Sequence, residues 1–257
     1  MERLDFLEET YDDMLFNSKV IDSGTESTIV LHDGKIYKIL VPDAITITTK
    51  KRLRKINECK ELEEYITMPL REIYYEFRFI GYEMDYAGIN LTDYLIENIK
   101  NSTLTTDMKY ALMMKLKRCI EKIHEHKMIH GDIQPRNVLV NDDHVVLGDI
   151  NNMNFGLFKN AYLNEVSLRL CDRYGVSPII DIHAFNYFCY LIFNAPDEIL
   201  MEILQFGADS IFRTDLISVP NKYFDDSVVL EQKDIFNNRN NKKLALMNSK
   251  YLIDYLK

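Results

Sequence analysis

Cysteine is scarce and scattered. The 257 residues hold four, Cys59, Cys119, Cys171 and Cys189, and no two form a C-x-x-C pair. That spacing argues against a disulfide framework. No histidine stands at ligand spacing from a cysteine or a second histidine, which argues against zinc. Cys59 and Cys119 fall on apolar helical faces, where reduced core thiols are expected. The opening MERLDFLEETYDDMLF lacks the basic start and apolar centre of a signal peptide; it reads as a short amphipathic helix. The apolar run Ala184–Phe193 is far too short to span a bilayer and reads as a buried helix. An intracellular location is therefore expected, cytoplasmic or nuclear, with no membrane partner. Positive charge is in deficit, and a net charge of −9 argues against broad nucleic-acid binding. The one basic run, Lys50 to Lys55, reads as a solvated helix face, with an acidic partner or a nuclear localisation signal as alternatives.

What remains is an ordinary globular composition, 47% hydrophobic and 28% charged, with no internal repeat. The most informative segment is MIHGDIQPRNVLVNDDHVVLGDI, residues 128–150. Val138-Leu139-Val140 and Val145-Val146-Leu147 read as two strands joined by the polar turn Asn141-Asp142-Asp143. Such a hairpin returns Asn137 and Asp149 to one end. One carboxylate, one amide oxygen and phosphate oxygens suit Mg²⁺. Asp132, beside that pair, stands where a base orients a hydroxyl toward a γ-phosphate.

The layout resembles the catalytic and metal-binding loops of the protein-kinase-like superfamily, H-R-D-x-x-x-x-N followed by D-F-G. Other parts follow in the family's order. Residues 20–31 read as strand, turn, strand, then a turn at His32–Lys35 and a third strand at Ile36–Leu40. The resemblance makes Lys38 the phosphate-neutralising lysine. Residues 51–66 read as the family's C-helix, with Leu53, Ile56, Cys59, Leu62 and Ile66 inward. Glu58 is its expected partner for Lys38, with Glu61 as fallback. Phe77–Gly88 resembles the fifth strand and hinge, with Met84 as gatekeeper and the backbone of Asp85 and Ala87 meeting adenine. Ile21, Gly24, Ile29 and Ile36 would line the nucleotide from one side and Leu139 from the other. Thr105 to His124 reads as the amphipathic helix leading into the catalytic loop, and Asp181 as the aspartate that holds this loop's backbone. The resemblance implies an α+β, two-lobed domain over 1–257: a β-rich lobe to about residue 85, a hinge at about 85–88, and a reduced, mostly helical lobe over 89–257.

Departures are equally specific. Asp22, Gly24 and Ser27 stand against G-x-G-x-x-G, so one glycine of three survives. Asp149-Ile150-Asn151 replaces D-F-G, with Asn151 expected to tolerate positive φ. Gly131 replaces the arginine that reads an activation-segment phosphate, and residues 150–166 hold no Ser or Thr, Tyr162 being their one hydroxyl. Gln134 replaces a lysine that touches the γ-phosphate. The resemblance implies ATP and Mg²⁺ as ligands and serine or threonine of a protein as acceptor, without control from the activation segment. The alternatives are a small-molecule kinase of the aminoglycoside or choline kinase type, for which H-G-D speaks, and a nucleotide-binding pseudokinase that serves as a binding module. Asn237–Lys243 reads as a polar loop before a final helix.

Overall fold

The computed structural model describes residues 1–142, 144–158 and 178–206. Tyr162 and the rest of the activation segment beyond Phe158, Cys171, the Asn237–Lys243 loop and the final helix lie outside the described residues. The chain forms two compact units. The first is Met1–Gly88 together with Gly148–Asn151; the second is Ile89–Leu147 with the described residues from Asn152 on. The sequence reading placed everything after residue 88 in the second body, whereas Gly148–Asn151 belong to the first.

The first unit is a six-stranded sheet in the order β1-β5-β6-β4-β3-β2. Its strands are β1 (Glu2–Phe6), β2 (Lys19–Ser23), β3 (Ser27–His32), β4 (Lys35–Leu40), β5 (Arg71–Tyr75) and β6 (Arg78–Asp85). Helices α1 (Glu8–Phe16) and α2 (Thr49–Glu58) complete it. β1 lies parallel to β5, and every other pair in this sheet is antiparallel. The opening residues are therefore a strand and then a helix, not one helix. Leu4 and Phe6 pack with Met14, Val30, Tyr37 and Ile73, so alternation at period two gives those residues a core to fill. The β3–β4 turn uses Asp33 and Gly34, both at positive φ (48° and 75°), as a two-residue hairpin connection demands.

Cross-strand register aligns a second set of side chains on the other face. Lys38 of β4 stands opposite Ile29 of β3 and Tyr82 of β6, and Tyr82 stands opposite Glu72 of β5. Helix α2 is tied to this face by Arg54, whose guanidinium donates from Nε and Nη2 to the two oxygens of the buried Glu72 carboxylate. The helix is shorter than its sequence periodicity predicts. It ends at Glu58, where Asn57 Nδ2 donates to the Pro69 carbonyl (2.6 Å) and Cys59 leaves helical backbone at ψ 66°. Leu62 and Ile66 still reach the core, from a 3₁₀ turn (Lys60–Leu62) and the segment after it. A period of 3.6 cannot distinguish that route from a continuous helix.

In the second unit, β7 (Ile89–Asn90), β8 (Val138–Asn141) and β9 (His144–Leu147) form a small antiparallel sheet. Helix α3 (Leu91–Lys100) is capped by Asn90, whose Oδ1 accepts from the Asp93 amide (2.9 Å). Helix α4 (Thr106–Glu125) is capped by Thr105, whose hydroxyl accepts from the Met108 amide (3.2 Å). Its stripe Leu112, Leu116, Cys119, Ile120 and Ile123 is buried, packing on β9 and on α5 (Ile179–Asn194). Helix α6 (Asp197–Phe206) lies against α3. Among the described residues no helix is long and apolar enough to cross a membrane.

Candidate active site

Each unit carries one group of polar residues that sequence and fold bring together. In the first unit it is built around Lys38. The lysine sits mid-strand, is 4% exposed, and donates from Nζ to Asp149 Oδ1 (2.5 Å) and Asn151 Oδ1 (2.7 Å). Tyr82, its cross-strand neighbour, is fully buried and donates to the same Asn151 Oδ1 (3.1 Å). Arg52, buried on α2, donates from Nη1 to the Asn151 carbonyl (2.6 Å). Burial alone would depress the Lys38 pKa; Tyr82, Asp149 and Glu26 outweigh it, so the ammonium titrates above the ordinary lysine range. Burial pushes the Tyr82 phenol up to about 12 despite Lys38, with Asp149 adding to the rise. Burial lowers the Arg52 pKa. At neutral pH the cluster is thus an ammonium and a neutral phenol, with Asp149 as the counter-charge.

Two sequence expectations change here. Glu58 does not meet Lys38: it lies at the exposed end of α2 and pairs with Lys55 (2.6 Å). The fallback Glu61 is exposed in the 3₁₀ turn after α2. The premature end of the helix is the reason, because it leaves its only acid on the last turn. The left-handed backbone falls on Asp149 (φ 51°), not on Asn151. Asn151 instead sits in a 3₁₀ turn (Ile150–Asn152) with its amide buried. The basic run is also largely used internally: Lys50 bonds Tyr74 Oη (3.2 Å), while Arg52, Arg54 and Lys55 have the partners given above.

The remaining first-unit candidates lie along one sheet face or its rim. Ile29 is half-buried opposite Lys38, and Ile36 is buried opposite Met84. Ile21 and Gly24 are exposed in and beside β2, where the Gly24 amide donates to the Ser27 carbonyl (2.9 Å). Asp85 ends β6 with its carboxylate on Lys35, and Ala87 follows half-buried before Gly88.

In the second unit the group is the loop Met128–Asn137. Asn137 Nδ2 donates to Asp132 Oδ2 (2.7 Å) and to its carbonyl (3.0 Å), and Gln134 Nε2 donates to Asp132 Oδ2 (2.8 Å). Two amides therefore fix one carboxylate oxygen of Asp132. The fully buried Asp181, in the first turn of α5, accepts from the backbone amides of His130 (2.8 Å) and Gly131 (2.7 Å). Gly131 adopts φ 80°, a conformation that side chains disfavour. His124 Nε2 lies within hydrogen-bond distance of Asp181 Oδ2 (3.0 Å). Leu139 is half-buried in β8 between Asn90 and Val146.

Asp149 offers a carboxylate and Asn137, with its amide nitrogen committed to Asp132, an amide oxygen. Both are hard donors of the type Mg²⁺ takes alongside phosphate. Among the described residues no cluster of three or more His, Cys, Asp or Glu could cage a metal. The roles of Asn151, Tyr82, Arg52 and Gln134 escaped the sequence reading. The β4–β6 register reveals Tyr82, and the hydrogen bonds to its side-chain oxygen reveal Asn151.

This combination defines a class: a lysine on a central strand against an aspartate of a later loop, and an H-x-D-x-x-x-x-N loop pinned by a buried helix aspartate. The family model "Protein tyrosine and serine/threonine kinase" matches residues 72–173. The probable serine/threonine-protein kinase irlC of Dictyostelium discoideum is 28% identical over 162 residues, 52% of this chain and 11% of that protein. The EKC/KEOPS complex subunit BUD32 of Debaryomyces hansenii is 31% identical over 121 residues, 44% of each chain. Mitogen-activated protein kinase p38a of Drosophila melanogaster is 23% identical over 175 residues, 66% of this chain and 45% of that protein. The aligned region spans less than half of each of these relatives. Residues 72–173 are thus similar to the protein kinase family, and the fold is α+β and kinase-like.

Proposed function

We propose that the chain is an ATP-dependent kinase that phosphorylates serine or threonine of a protein. The observation that carries this reading is the state of Asp132. Its carboxylate is oriented by Asn137 and Gln134 on a loop whose backbone Asp181 holds. That is the preorganisation a group needs to align a substrate hydroxyl. Lys38 neutralises phosphate charge from a buried site, and Asp149 and Asn137 supply oxygens to Mg²⁺. Bound there, Mg²⁺ would supply positive charge to offset the charge that develops on phosphate during transfer. Ile21, Gly24, Ile29, Ile36 and Leu139, with the backbone of Asp85 and Ala87, hold the nucleotide. Similarity to irlC and p38a, both protein kinases by name, supports a protein acceptor, and serine or threonine in the case of irlC. Gly131 supplies no guanidinium for an activation-segment phosphate, so activity is constitutive in this respect.

Incubation with Mg²⁺ and γ-labelled ATP, with generic protein acceptors and separately with small hydroxylated or amino acceptors, tests the proposal. Label in phosphoserine or phosphothreonine is the expected result. Label confined to small molecules would instead make this a small-molecule kinase, and nucleotide binding without transfer a pseudokinase.

A further inference from the structure

The superfamily resemblance assigns the lysine a glutamate on the C-helix, and α2 has none to offer. The residues that α2 buries are Thr49, Arg52, Leu53 and Ile56, and its one acid, Glu58, is exposed and paired with Lys55. The lysine nevertheless has a built, buried partner. Asn151 Oδ1 lies 2.7 Å from Lys38 Nζ and accepts the Tyr82 hydroxyl at 3.1 Å, and its own carbonyl accepts from Arg52 at 2.6 Å. A glycine at the third place of the Asp-Ile-Asn triplet could make no such side-chain bond.

We propose that Asn151, steadied by Tyr82 and Arg52, is the positioning residue for Lys38 and takes the place of a C-helix glutamate. This inference rests on the nucleotide-binding reading above. An amide oxygen orients an ammonium as a carboxylate does but leaves its charge uncancelled. Lys38 therefore presents its charge to phosphate with Asp149 as its sole carboxylate partner in the hydrogen bonds of the cluster. Arg52, on α2, holds the backbone of Asn151. The helix is thereby linked to the lysine through residue 151, and no acid has to swing in for the lysine to be placed.

Binding of ADP, with and without Mg²⁺, measured by thermal shift on the full chain, tests the proposal. Asn151→Ala is expected to weaken binding about tenfold, the scale of one lost hydrogen bond to a charged group. Tyr82→Phe should weaken it about threefold, and Glu58→Gln should leave it unchanged. Since Asn151 acts through Lys38, the double variant Lys38→Met with Asn151→Ala should bind no worse than Lys38→Met alone. A merely structural residue would instead add its own loss. Wild-type affinity in Asn151→Ala, additivity in the double variant, or weakened binding in Glu58→Gln would each overturn the proposal. Should Asn151→Ala show no folded transition, Asn151→Ser and Glu58→Gln decide, with the same expectations. A wild type that binds ADP but transfers no phosphate removes the kinase reading and leaves this inference standing. A wild type that binds no nucleotide removes both.

Discussion

Gly81 and Lys38 meet backbone to backbone across the β4–β6 ladder. A Cβ on residue 81 would lie 2.0 Å from the Lys38 carbonyl oxygen and 3.2 Å from the Ile39 Cα. Neither atom belongs to a flexible side chain, so a methyl group forces one strand away from the other. Gly81→Ala should cost about 1–3 kcal/mol, as overpacking does. It should also weaken nucleotide binding, because the strand that moves carries the lysine. Denaturant titration and ADP thermal shift measure the two effects. A variant as stable as wild type would mean that the ladder yields.

Glu72 makes stability depend on acid. Burial would raise its pKa, but hydrogen bonds from Arg54 and Tyr74 and the nearby charges bring it below the ordinary glutamate value of 4.5. A carboxyl depressed by folding contributes stability that is complete above its unfolded pKa and is lost as pH falls through the lower, folded value. Glu72→Gln should therefore destabilise the protein near pH 7 by about 1–3 kcal/mol. The difference should shrink as pH drops below about 4.5. Melting curves over pH 3 to 7 check it, and a constant difference across that range would refute the linkage.

Asp181 holds two backbone amides of the Met128–Asn137 loop and is fully buried. Asp181→Asn keeps the shape and one acceptor but faces one amide with another. Loss of about 1–3 kcal/mol of stability is expected. Phosphotransfer should fall with little change in ADP affinity, since Lys38 and its partners lie in the other unit. An equal loss of ADP binding would contradict that separation.

Asp132→Asn should preserve folding and nucleotide affinity while lowering turnover by roughly 100-fold or more, the usual weight of a positioned base. Steady-state kinetics with labelled ATP would show it. A variant that keeps most of the wild-type rate removes Asp132 from the chemistry.

Phosphatase treatment of the purified protein, and Tyr162→Phe, should each leave activity unchanged. Gly131 donates only its backbone amide, to Asp181, and carries no cation for a phosphate. Loss of activity on either treatment would require a basic receptor elsewhere.

Motif order made the fold class legible, because Lys38, Asp132, Asn137, Asp149 and Asp181 occur in the order that the superfamily resemblance implies. The placing of Glu58 was not legible. Leu62 and Ile66 continue the apolar period of α2 although the helix has already stopped, and Cys59 breaks it through a backbone angle that no side-chain pattern encodes. The opening strand was equally hidden, since Leu4, Phe6 and Tyr11 face one core from a strand and a helix in succession. Asn151 was read as a backbone substitution, whereas its side chain carries the consequence. Only tertiary register puts Tyr82 and Lys38 around it.

The reach of Lys38 across the chain sets an order of events during synthesis. Its acceptors lie 111 and 113 residues downstream. β1 likewise waits for β5, where Glu2 finds Arg71. A nascent chain that has delivered all six strands still lacks Asp149 and Asn151, the hydrogen-bond acceptors of the Lys38 ammonium. Burying such a charge alone is expensive. The first unit therefore cannot settle until Gly148–Asn151 arrive, so the lobe that opens the sequence is completed only after the hairpin of the other lobe has been made. Ribosome-stalled chains in which residue 88 has just cleared the exit tunnel should remain protease-sensitive in β4, and protection should appear only once the Asp-Ile-Asn triplet has cleared it as well.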